Sequence, residues 1–491
     1  SSAASDVYKR QVKYVHQNVG FEAIDAASGK FRITNRFYFT NLKKYQIHYS
    51  VLSNNKTIKS GKVSLDIAPQ ASKEFTVPVN GLKSQPGTEY FVNFSVTTVE
   101  PEPLIPAGYE IAYDQFQLPI QAEKRIYKAN GPALTTATSG DELTVSSSKV
   151  NFVFNKKSGL VTSYKVDGTE YFKDGFGIQP NFWRAPNDND YGNGAPKRLQ
   201  VWKQSSKNFH VTDVKMTTEN KVVSLKATYL LAAGNLYVVT YRIYPSGIVN
   251  VSAQFTSTDM QAAETEVSEA TRMATFTPGS DAARKAASKL EVPRIGVRFR
   301  LPAQMNNVQY FGRGPEENYI DRNHGTLVGV YKTTADKMYF NYVRPQENGH
   351  HTDTRWIALS PDKGNGLAIV ADSLIGFNAL RNSIEDFDSE EALPHPYQWN
   401  NFSPEEVANH DEKAARNVLR RMHHVNDITP RDFVEVCVDM KQQGVGGYDS
   451  WGARPEPFHQ IPANRDYSWG FTLVPVRSAS QANEVAKYDY Q

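Results

Sequence analysis

Over most of its length this chain alternates apolar and polar residues with the period of a β-strand. Runs such as KFRITN, YQIHYSVLS, VVSLKATYLL and LYVVTYRIYPSGIVNVSAQF place every second side chain on the same face of an extended segment. Turn-forming clusters such as SNNK and SQPGT separate these runs, and they lack the strand–helix–strand rhythm of a parallel sheet. The pattern therefore predicts an all-β protein with antiparallel strands.

The strands fall into two groups, as expected for a chain of 491 residues, which exceeds the usual size of one domain. Residues 12–122 have the short, regularly spaced strands of an immunoglobulin-like β-sandwich, which we expect to act as a spacer or packing module. Residues 123–140 are rich in Gly, Ser, Thr and Pro and predict a linker. Residues 141–478 carry enough strands for a large antiparallel sandwich, followed by a tail at 479–491.

Three segments do not follow the strand pattern. Residues 1–11, SSAASDVYKRQ, resemble translated adaptor or linker sequence, and we expect them to be a non-native leader. Residues 260–292 are rich in Ala, Glu and Lys and are expected to form a helical or loosely ordered insertion. Residues 403–422 open with a Ser-x-x-Glu capping box, which predicts a helix.

Charge and hydropathy exclude several classes of function. The chain has 55 Lys and Arg against 52 Asp and Glu, with no run of five or six like charges, which argues against a nucleic-acid partner. Apolar stretches fall short of the roughly 18 residues that span a bilayer, so no membrane association is expected. The one cysteine, Cys437, lies in the alternating run FVEVCVDM and is predicted to be a buried strand thiol.

The stretch 181-NFWRAPNDNDYGNG-194 mixes amides, carboxylates and glycines. A calcium loop starting at Asn187 would need a Glu at its twelfth position, where the chain has Arg198. Asp188 and Asp190 would repel each other as an acid/base pair, and nothing in the sequence raises the pKa of either. Because Asn and Asp bond their own main chain and Gly192 adds freedom, we predict an ordered turn followed by a mobile loop.

Two more motifs contain residue types found in catalytic or zinc sites. Glu316 and Glu317 in VQYFGRGPEENYIDR are neighbours, so an extended chain directs them to opposite faces and disfavours a glycosidase pair. His350, His351 and Asp353 in YVRPQENGHHTDTRW match no familiar zinc spacing, and structural hydrogen bonding is the favoured interpretation.

The stretch 444-GVGGYDSWGARP-455 places an aromatic residue in a glycine-rich loop. Trp451 beside Asp449 has the chemistry of a sugar pocket, in which a ring stacks on the sugar and a polar group orients its hydroxyls. A loop tryptophan that closes the end of a sandwich explains the same pattern equally well.

The motifs WRAPNDNDYG, YFGRGPEENYIDR, YVRPQENGHHTDTRW and GVGGYDSWG, in this order, resemble the C-terminal domain of the large β-galactosidases of glycoside hydrolase family 2. The segments VKYVHQNVGF, SLDIAPQ and AYDQFQLPI resemble the domain that precedes it in the family. The resemblance covers about Val12 to Val476. It implies a galactose-mutarotase-like supersandwich for the second domain.

The resemblance also implies site residues. In the family, a mobile loop lies beside the active site, and its first glycine corresponds to Gly192. The tryptophan that serves in the family's sugar site as a platform for the aglycone corresponds to Trp451. We accordingly predict Trp451, Asp449, Gly192 and Asp190 as substrate-binding residues. Many relatives have an acidic residue where this chain has Tyr448, which affects local hydrogen bonding.

The resemblance further implies that the catalytic parts lie elsewhere. Retaining hydrolysis needs two carboxyls roughly 5 Å apart, and the family places both glutamates, with its Mg²⁺ and Na⁺ ligands, in an upstream (β/α)₈ barrel. We therefore expect no catalytic or metal site in this chain, no hydrolysis by the chain alone, and an upstream barrel domain or large subunit as its partner. The full enzyme is expected to be a homo-oligomer acting on lactose-type β-galactosides, and whether it is cytoplasmic or periplasmic is left open.

Two alternatives stay open. One is a free-standing carbohydrate-binding module that uses Trp451. The other is an aldose epimerase, suggested by the fold analogy alone, for which no histidine–glutamate pair can be assigned.

Overall fold

The computed structural model describes residues 2–257, 290–388, 393–394, 419–420, 424–449 and 452–491. The insertion predicted at 260–292 and the helix predicted at 403–422 lie almost wholly outside the described residues, so both stay predictions. Trp451 also lies outside them.

Seven strands form the first part of the chain: β1 (Val19–Asp25), β2 (Lys30–Asn35), β3 (Tyr45–Ser53), β4 (Lys56–Val63), β5 (Ser72–Thr76), β6 (Tyr90–Thr98) and β7 (Glu110–Gln117). They make two antiparallel sheets, with the orders β1–β2–β5 and β4–β3–β6–β7. Phe31 of β2 and Phe94 of β6 pack edge to face across the two sheets, with ring centroids 5.0 Å apart. The predicted sandwich of short alternating strands is confirmed.

The remaining strands are β8 (Arg125–Ile126), β9 (Thr135–Ser139), β10 (Glu142–Ser146), β11 (Val150–Asn155), β12 (Leu160–Val166), β13 (Thr169–Glu170), β14 (Gln179–Asn181), β15 (His210–Glu219), β16 (Val222–Leu230), β17 (Leu236–Ile243), β18 (Val249–Thr256), β19 (Arg294–Pro302), β20 (Asn307–Gly314), β21 (Leu327–Thr334), β22 (His351–Ser360), β23 (Gly366–Leu380), β24 (Leu393–Pro394), β25 (Leu419–Arg420), β26 (Phe433–Gln442), β27 (Tyr467–Val476) and β28 (Tyr488–Asp489). The helices are α1 (Ser2–Val15), α2 (Asp188–Gly192), α3 (Ala195–Arg198), α4 (Gln200–Lys207), α5 (Ala335–Met338), α6 (Ile384–Phe387) and α7 (Ala482–Val485).

A twelve-stranded antiparallel sheet dominates this second part. Its main path is β14–β19–β26–β23–β27–β18–β17–β16–β15, while β22 pairs with β23, β20 with β22, and β21 with β20. A five-stranded sheet, β13–β12–β11–β10–β9, shares its core: Phe152 of β11 contacts Tyr241 of β17 with ring centroids 5.4 Å apart. The all-β prediction is confirmed. Alternating sequences have one apolar face, and antiparallel sheets bury that face between them.

The linker pairs with the tail, and side-chain contacts join the first sandwich to the second part. Strand β8, within the predicted linker, pairs with β28, within the predicted tail. Arg355 of β22 donates two hydrogen bonds to Glu89, at 2.8 and 3.0 Å. Gln115 of β7 exchanges two hydrogen bonds with the backbone of Val328, both 2.8 Å long.

Residues of the predicted leader lie in α1 and contact the rest of the chain. Arg10 forms an ion pair with Glu316 at 3.1 Å, and the side chain of Gln11 accepts the backbone N–H of Gly325 at 2.9 Å. Elsewhere, Cys437 is buried in β26, as predicted. Within the described residues, no helix is both long enough and apolar enough to cross a membrane.

The first sandwich allows a matched test of its aromatic core. Phe94 is 2% exposed and stacks on Phe21 with ring centroids 4.5 Å apart, whereas Phe39 is 97% exposed. Phe94→Ala is expected to lower the free energy of unfolding by about 3–5 kcal/mol, because it leaves a cavity between the sheets. Phe39→Ala is expected to change it by less than about 0.5 kcal/mol.

Urea unfolding followed by tyrosine fluorescence measures both variants against the parent chain. Similar unfolding midpoints for Phe94→Ala and the parent chain would contradict the packing described here.

Candidate functional site

An open cavity of about 700 Å³ lies at one end of the large sheet. Its walls come from residues 187–189, 319–322, 342–347, 445–449 and 454–459, so all four sequence motifs contribute to it. The sheet order explains why they meet. The carboxyl ends of β14, β20 and β26 and the amino end of β22 lie at the same end of the sheet, and each motif extends into the loop there.

The N-D-N-D segment forms the capped first turn of α2. The side chain of Asn187 accepts the backbone N–H of Asp190 at 2.8 Å, and the Asp190 carboxylate accepts that of Asn187 at 3.1 Å. Asp190 also receives two hydrogen bonds from buried Arg184, at 3.2 and 3.1 Å. The predicted ordered turn is confirmed, and Asp190 supports it from behind the cavity wall instead of lining the cavity.

The loop after α2 touches the glycine-rich loop. Gly192 is exposed at the end of α2, and Gly452 has a φ of +134°. A Cβ on Gly452 would lie 2.5 Å from the carbonyl carbon of Gly192, so the two backbones approach as closely as glycine allows. The mobility expected of the loop from Gly192 onwards stays a prediction.

Of the predicted site residues that the structure describes, Asp449 lines the cavity. Its Oδ1 accepts the backbone N–H groups of Gly452 and Ala453, at 3.2 and 2.9 Å. These bonds tie Asp449 to the backbone of residues 452 and 453. Tyr448 is 76% exposed at the edge of the cavity.

Asp321 anchors the same glycine-rich loop and was missed by the sequence analysis. Its carboxylate accepts the backbone N–H groups of Val445 at 3.0 Å and Gly446 at 2.8 Å. A Cβ on Gly444 would clash with this carboxylate, and Gly446 has a φ of +72°. Gly444 is required by the close approach of the carboxylate, and Gly446 by its left-handed backbone conformation. Through Asp321, the PEENYIDR motif orients the GVGGYDSWG motif.

Glu316 and Glu317 have different partners, as expected for neighbours in an extended segment. Buried Glu317 accepts hydrogen bonds from Tyr342, from Arg322 at 2.9 Å and from the backbone N–H of Gly349 at 2.7 Å. Burial raises the pKa of Glu317, and the nearby Arg322 opposes this shift. The interpretation that these glutamates are not a catalytic pair agrees with this geometry.

The adjacent histidines are structural, as predicted. His350 donates from Nδ1 to the side-chain oxygen of Asn378 at 2.8 Å, while the ring nitrogens of His351 lie 3.1 and 3.3 Å from the carbonyl oxygens of Gly349 and Pro315. Burial lowers the pKa of both imidazoles, that of His351 to about 4, so both are neutral near pH 7. Within the described ranges, no group of three or more His, Cys, Asp or Glu side chains is arranged to hold a metal ion.

A layer of buried charge lies beneath the cavity. Arg294 of β19 donates to Asn378 of β23 at 2.8 Å and to the carbonyl oxygen of Trp183 at 3.3 Å. Its Nε lies 3.1 Å from a carboxylate oxygen of Asp439 of β26, and its Nη2 lies 3.6 Å from Glu347. Burial raises the pKa of Asp439 to about 7, although Arg294 acts in the opposite direction.

Acidic side chains outnumber basic ones around the cavity. The acidic lining residues are Asp188, Asp321, Glu347, Asp449 and Glu456, and the basic ones are Arg322 and Arg454, joined by His459. Several of the carboxylates are engaged by backbone N–H groups or arginines, which suits binding and orientation better than proton transfer. The cavity offers many hydrogen-bonding groups, and Phe458 adds an exposed aromatic ring at its edge. This combination suits a neutral, hydroxyl-rich ligand.

Solved structures with a similar strand arrangement include a galactose 1-epimerase and a galactose mutarotase related enzyme, both from Lactobacillus acidophilus. The first has a TM-score of 0.33 and 6% sequence identity and covers 71% of this chain and 98% of its own. The second has a TM-score of 0.32 and 8% identity and covers 68% of this chain and 97% of its own. At these scores the similarity supports no inference about this protein.

Curated relatives extend over nearly the whole chain. A β-galactosidase from Priestia megaterium is 32% identical over 470 residues, which are 95% of this chain and 39% of that protein. A β-galactosidase from Streptococcus thermophilus is 25% identical over 471 residues, with the same coverage of 95% and 39%. The chain thus spans about two fifths of the length of these relatives.

Two family models match the two parts of the chain. The model described as "Beta-galactosidase, domain 4" matches residues 31–119, which include most of the first sandwich. The model described as "Beta galactosidase small chain" matches residues 146–473, two thirds of the chain, including all four cavity motifs. This chain belongs to the β-galactosidase small-chain family.

Proposed function

We propose that this chain is the C-terminal part of a β-galactosidase that removes terminal non-reducing β-D-galactose from lactose-type substrates. The observation that carries the proposal is the meeting of four distant motifs around one open, hydroxyl-compatible cavity. Membership of the β-galactosidase small-chain family and the coverage of about two fifths of its relatives support it.

In this proposal the chain supplies one wall of the sugar pocket. Trp451 stacks on the aglycone, and Asp449 is held near the pocket by the N–H groups of Gly452 and Ala453. Gly192 leads a loop that closes beside these residues, and Asp190 fixes the start of that loop through Arg184. The chain therefore shapes and closes the pocket without performing the bond cleavage.

The chemistry is assigned to an upstream barrel, either a domain of the same polypeptide or a large subunit. Two glutamates there act as acid/base and nucleophile, which retaining hydrolysis requires. The Mg²⁺ and Na⁺ of the complete enzyme would bind there too, and the complete enzyme is proposed to be a homo-oligomer. No observation favours the carbohydrate-binding-module or epimerase alternative over this function.

The purified chain is expected to be inactive on a chromogenic β-galactoside and to restore activity when mixed with a separately expressed upstream part. In the mixture, Trp451→Ala is expected to lower kcat/KM about tenfold, equivalent to about 1.4 kcal/mol, because the stacking surface for the aglycone is lost. Phe39→Ala, which removes an exposed aromatic ring from the first sandwich, is the control and should leave kcat/KM unchanged.

Hydrolysis by the purified chain alone would contradict the assignment of the catalytic glutamates to another part. Absence of activity in the mixture, with both parts shown to be folded by circular dichroism, would contradict the proposed function itself.

Asp321→Ala is expected to lower kcat/KM of the mixture about 10- to 100-fold, because it removes both anchors of residues 445 and 446. This loss corresponds to about 1.4–2.8 kcal/mol, the range of a hydrogen bond to a charged group. Asp321→Asn keeps one acceptor oxygen, so its kcat/KM should lie between that of Asp321→Ala and that of the parent. Asp362→Ala, which removes an exposed carboxylate bonded to Asn307 far from the cavity, is the matched control.

Steady-state kinetics of the four proteins tests this order. Equal kcat/KM values for Asp321→Ala and Asp362→Ala would show that the anchored loop does not contribute to the sugar pocket.

A further inference from the structure

Glu291 carries a buried carboxylate just before β19, outside the described lining of the cavity. Its side chain is only 6% exposed. The backbone around it is fixed, because Val292 donates to the carbonyl oxygen of Ile461 at 2.8 Å and Ala463 donates to that of Leu290 at 3.3 Å. The carboxylate is therefore held at a defined place in the structure.

One oxygen of this carboxylate meets both loops at the rim of the cavity. Oε1 accepts a hydrogen bond from Arg198 of α3 at 2.5 Å and lies 2.9 Å from Nη2 of Arg454 in the glycine-rich loop. Arg198 also donates to the side chain of Asn193, in the loop after α2, at 3.1 Å. Glu291 thus joins the loop after α2 to the glycine-rich loop, next to the place where their backbones touch.

The link depends on a charge that is largely shielded from water. Burial raises the pKa of Glu291, but Arg198 and Arg454 oppose this effect and hold the pKa below its usual value. Charge-assisted hydrogen bonds are stronger than neutral ones, and loss of one partner leaves a buried charge uncompensated. Arg454 is half-exposed, so solvent weakens its ion pair. The stronger link is the one to Arg198, whose side chain is 18% exposed.

We propose that Glu291 is a positioning residue of the β-galactosidase, which joins the loop after α2 to the glycine-rich loop and so fixes the side of the pocket that receives the aglycone. This role rests on the proposed function, in which the glycine-rich loop faces the aglycone. Glu291 acts through the two arginines and does not touch the substrate. Because a misplacement of about 1 Å can lower a rate about 100-fold, loss of the link should impair use of the aglycone while galactose recognition persists.

Steady-state kinetics of the mixture with the upstream part, on lactose and on methyl β-D-galactoside, tests this role. Glu291→Gln removes the charge at nearly constant shape and is expected to lower kcat/KM for lactose about tenfold. The value for methyl β-D-galactoside should change less than about twofold, because a methyl aglycone has little surface to place against the glycine-rich loop.

Arg198→Gln tests the same link from the other side. It releases the loop after α2 from the carboxylate without altering a residue of the described cavity lining, so it should show the same selective loss on lactose. If Glu291→Gln does not fold, Arg198→Gln decides the question.

Glu435→Gln is the matched control. Glu435 is also a buried glutamate, with its side chain 2% exposed, and it lies 2.9 and 3.6 Å from guanidinium nitrogens of Arg300 and Arg298. It is not a residue of the described cavity lining. This variant is expected to lower the unfolding midpoint, as Glu291→Gln does, while both kcat/KM values stay unchanged.

Hydrogen–deuterium exchange of the purified chain is a second readout that needs no activity. Glu291→Gln is expected to speed exchange at residues 193–198 and 452–455 together, because both segments lose the same support. Glu435→Gln should leave exchange in both segments unchanged.

Equal losses of kcat/KM on the two substrates, or no loss on either, would overturn the role of Glu291 while the activity of the parent mixture upholds the proposed function. Unchanged exchange in both segments would overturn the role as well. If the parent mixture is inactive although both parts are folded, the proposed function fails and the positioning role fails with it.

Discussion

The guanidinium of Arg294 lies in the interior of the large sheet with no exposed surface. A buried charge is costly unless it is paired and its hydrogen bonds are satisfied. Here the partners come from four separate segments: Trp183 before α2, Glu347 before β22, Asn378 on β23 and Asp439 on β26. Two of the four motif segments, those of Trp183 and Glu347, therefore converge on this arginine, and the cavity lies above them.

This constraint gives the polar cavity a rigid base. Asn378 accepts from both Arg294 and His350 and donates to Glu347 and the backbone of Asn348, so all four of its hydrogen-bonding positions are used. A buried side chain whose hydrogen-bonding positions are all used is held in one arrangement. The capped turn of α2 and the glycine-rich loop contact each other through Gly192 and Gly452 at the edge of this base.

Much of the fold could be predicted from periodicity, because alternation over short runs allows only antiparallel sheets with one buried face. The ordered turn at Asn187 and the structural role of His350 also followed from local chemistry. The pairing of Asp321 with Val445 and Gly446 could not be predicted, since it joins residues more than 120 positions apart in sequence. Nor does the sequence reveal that Asp190 faces Arg184 instead of the cavity, because a short turn leaves the direction of each carboxylate undetermined.

The central claim is that the cavity face is where another part of the enzyme completes the sugar pocket. Hydrogen–deuterium exchange of the chain, alone and with the separately expressed upstream part, tests this most directly. The account predicts slower exchange at residues 187–193, 342–347 and 445–449 when the upstream part is present, because these segments line the cavity or its rim. Unchanged exchange in all three segments, with the two parts shown to associate, would contradict it.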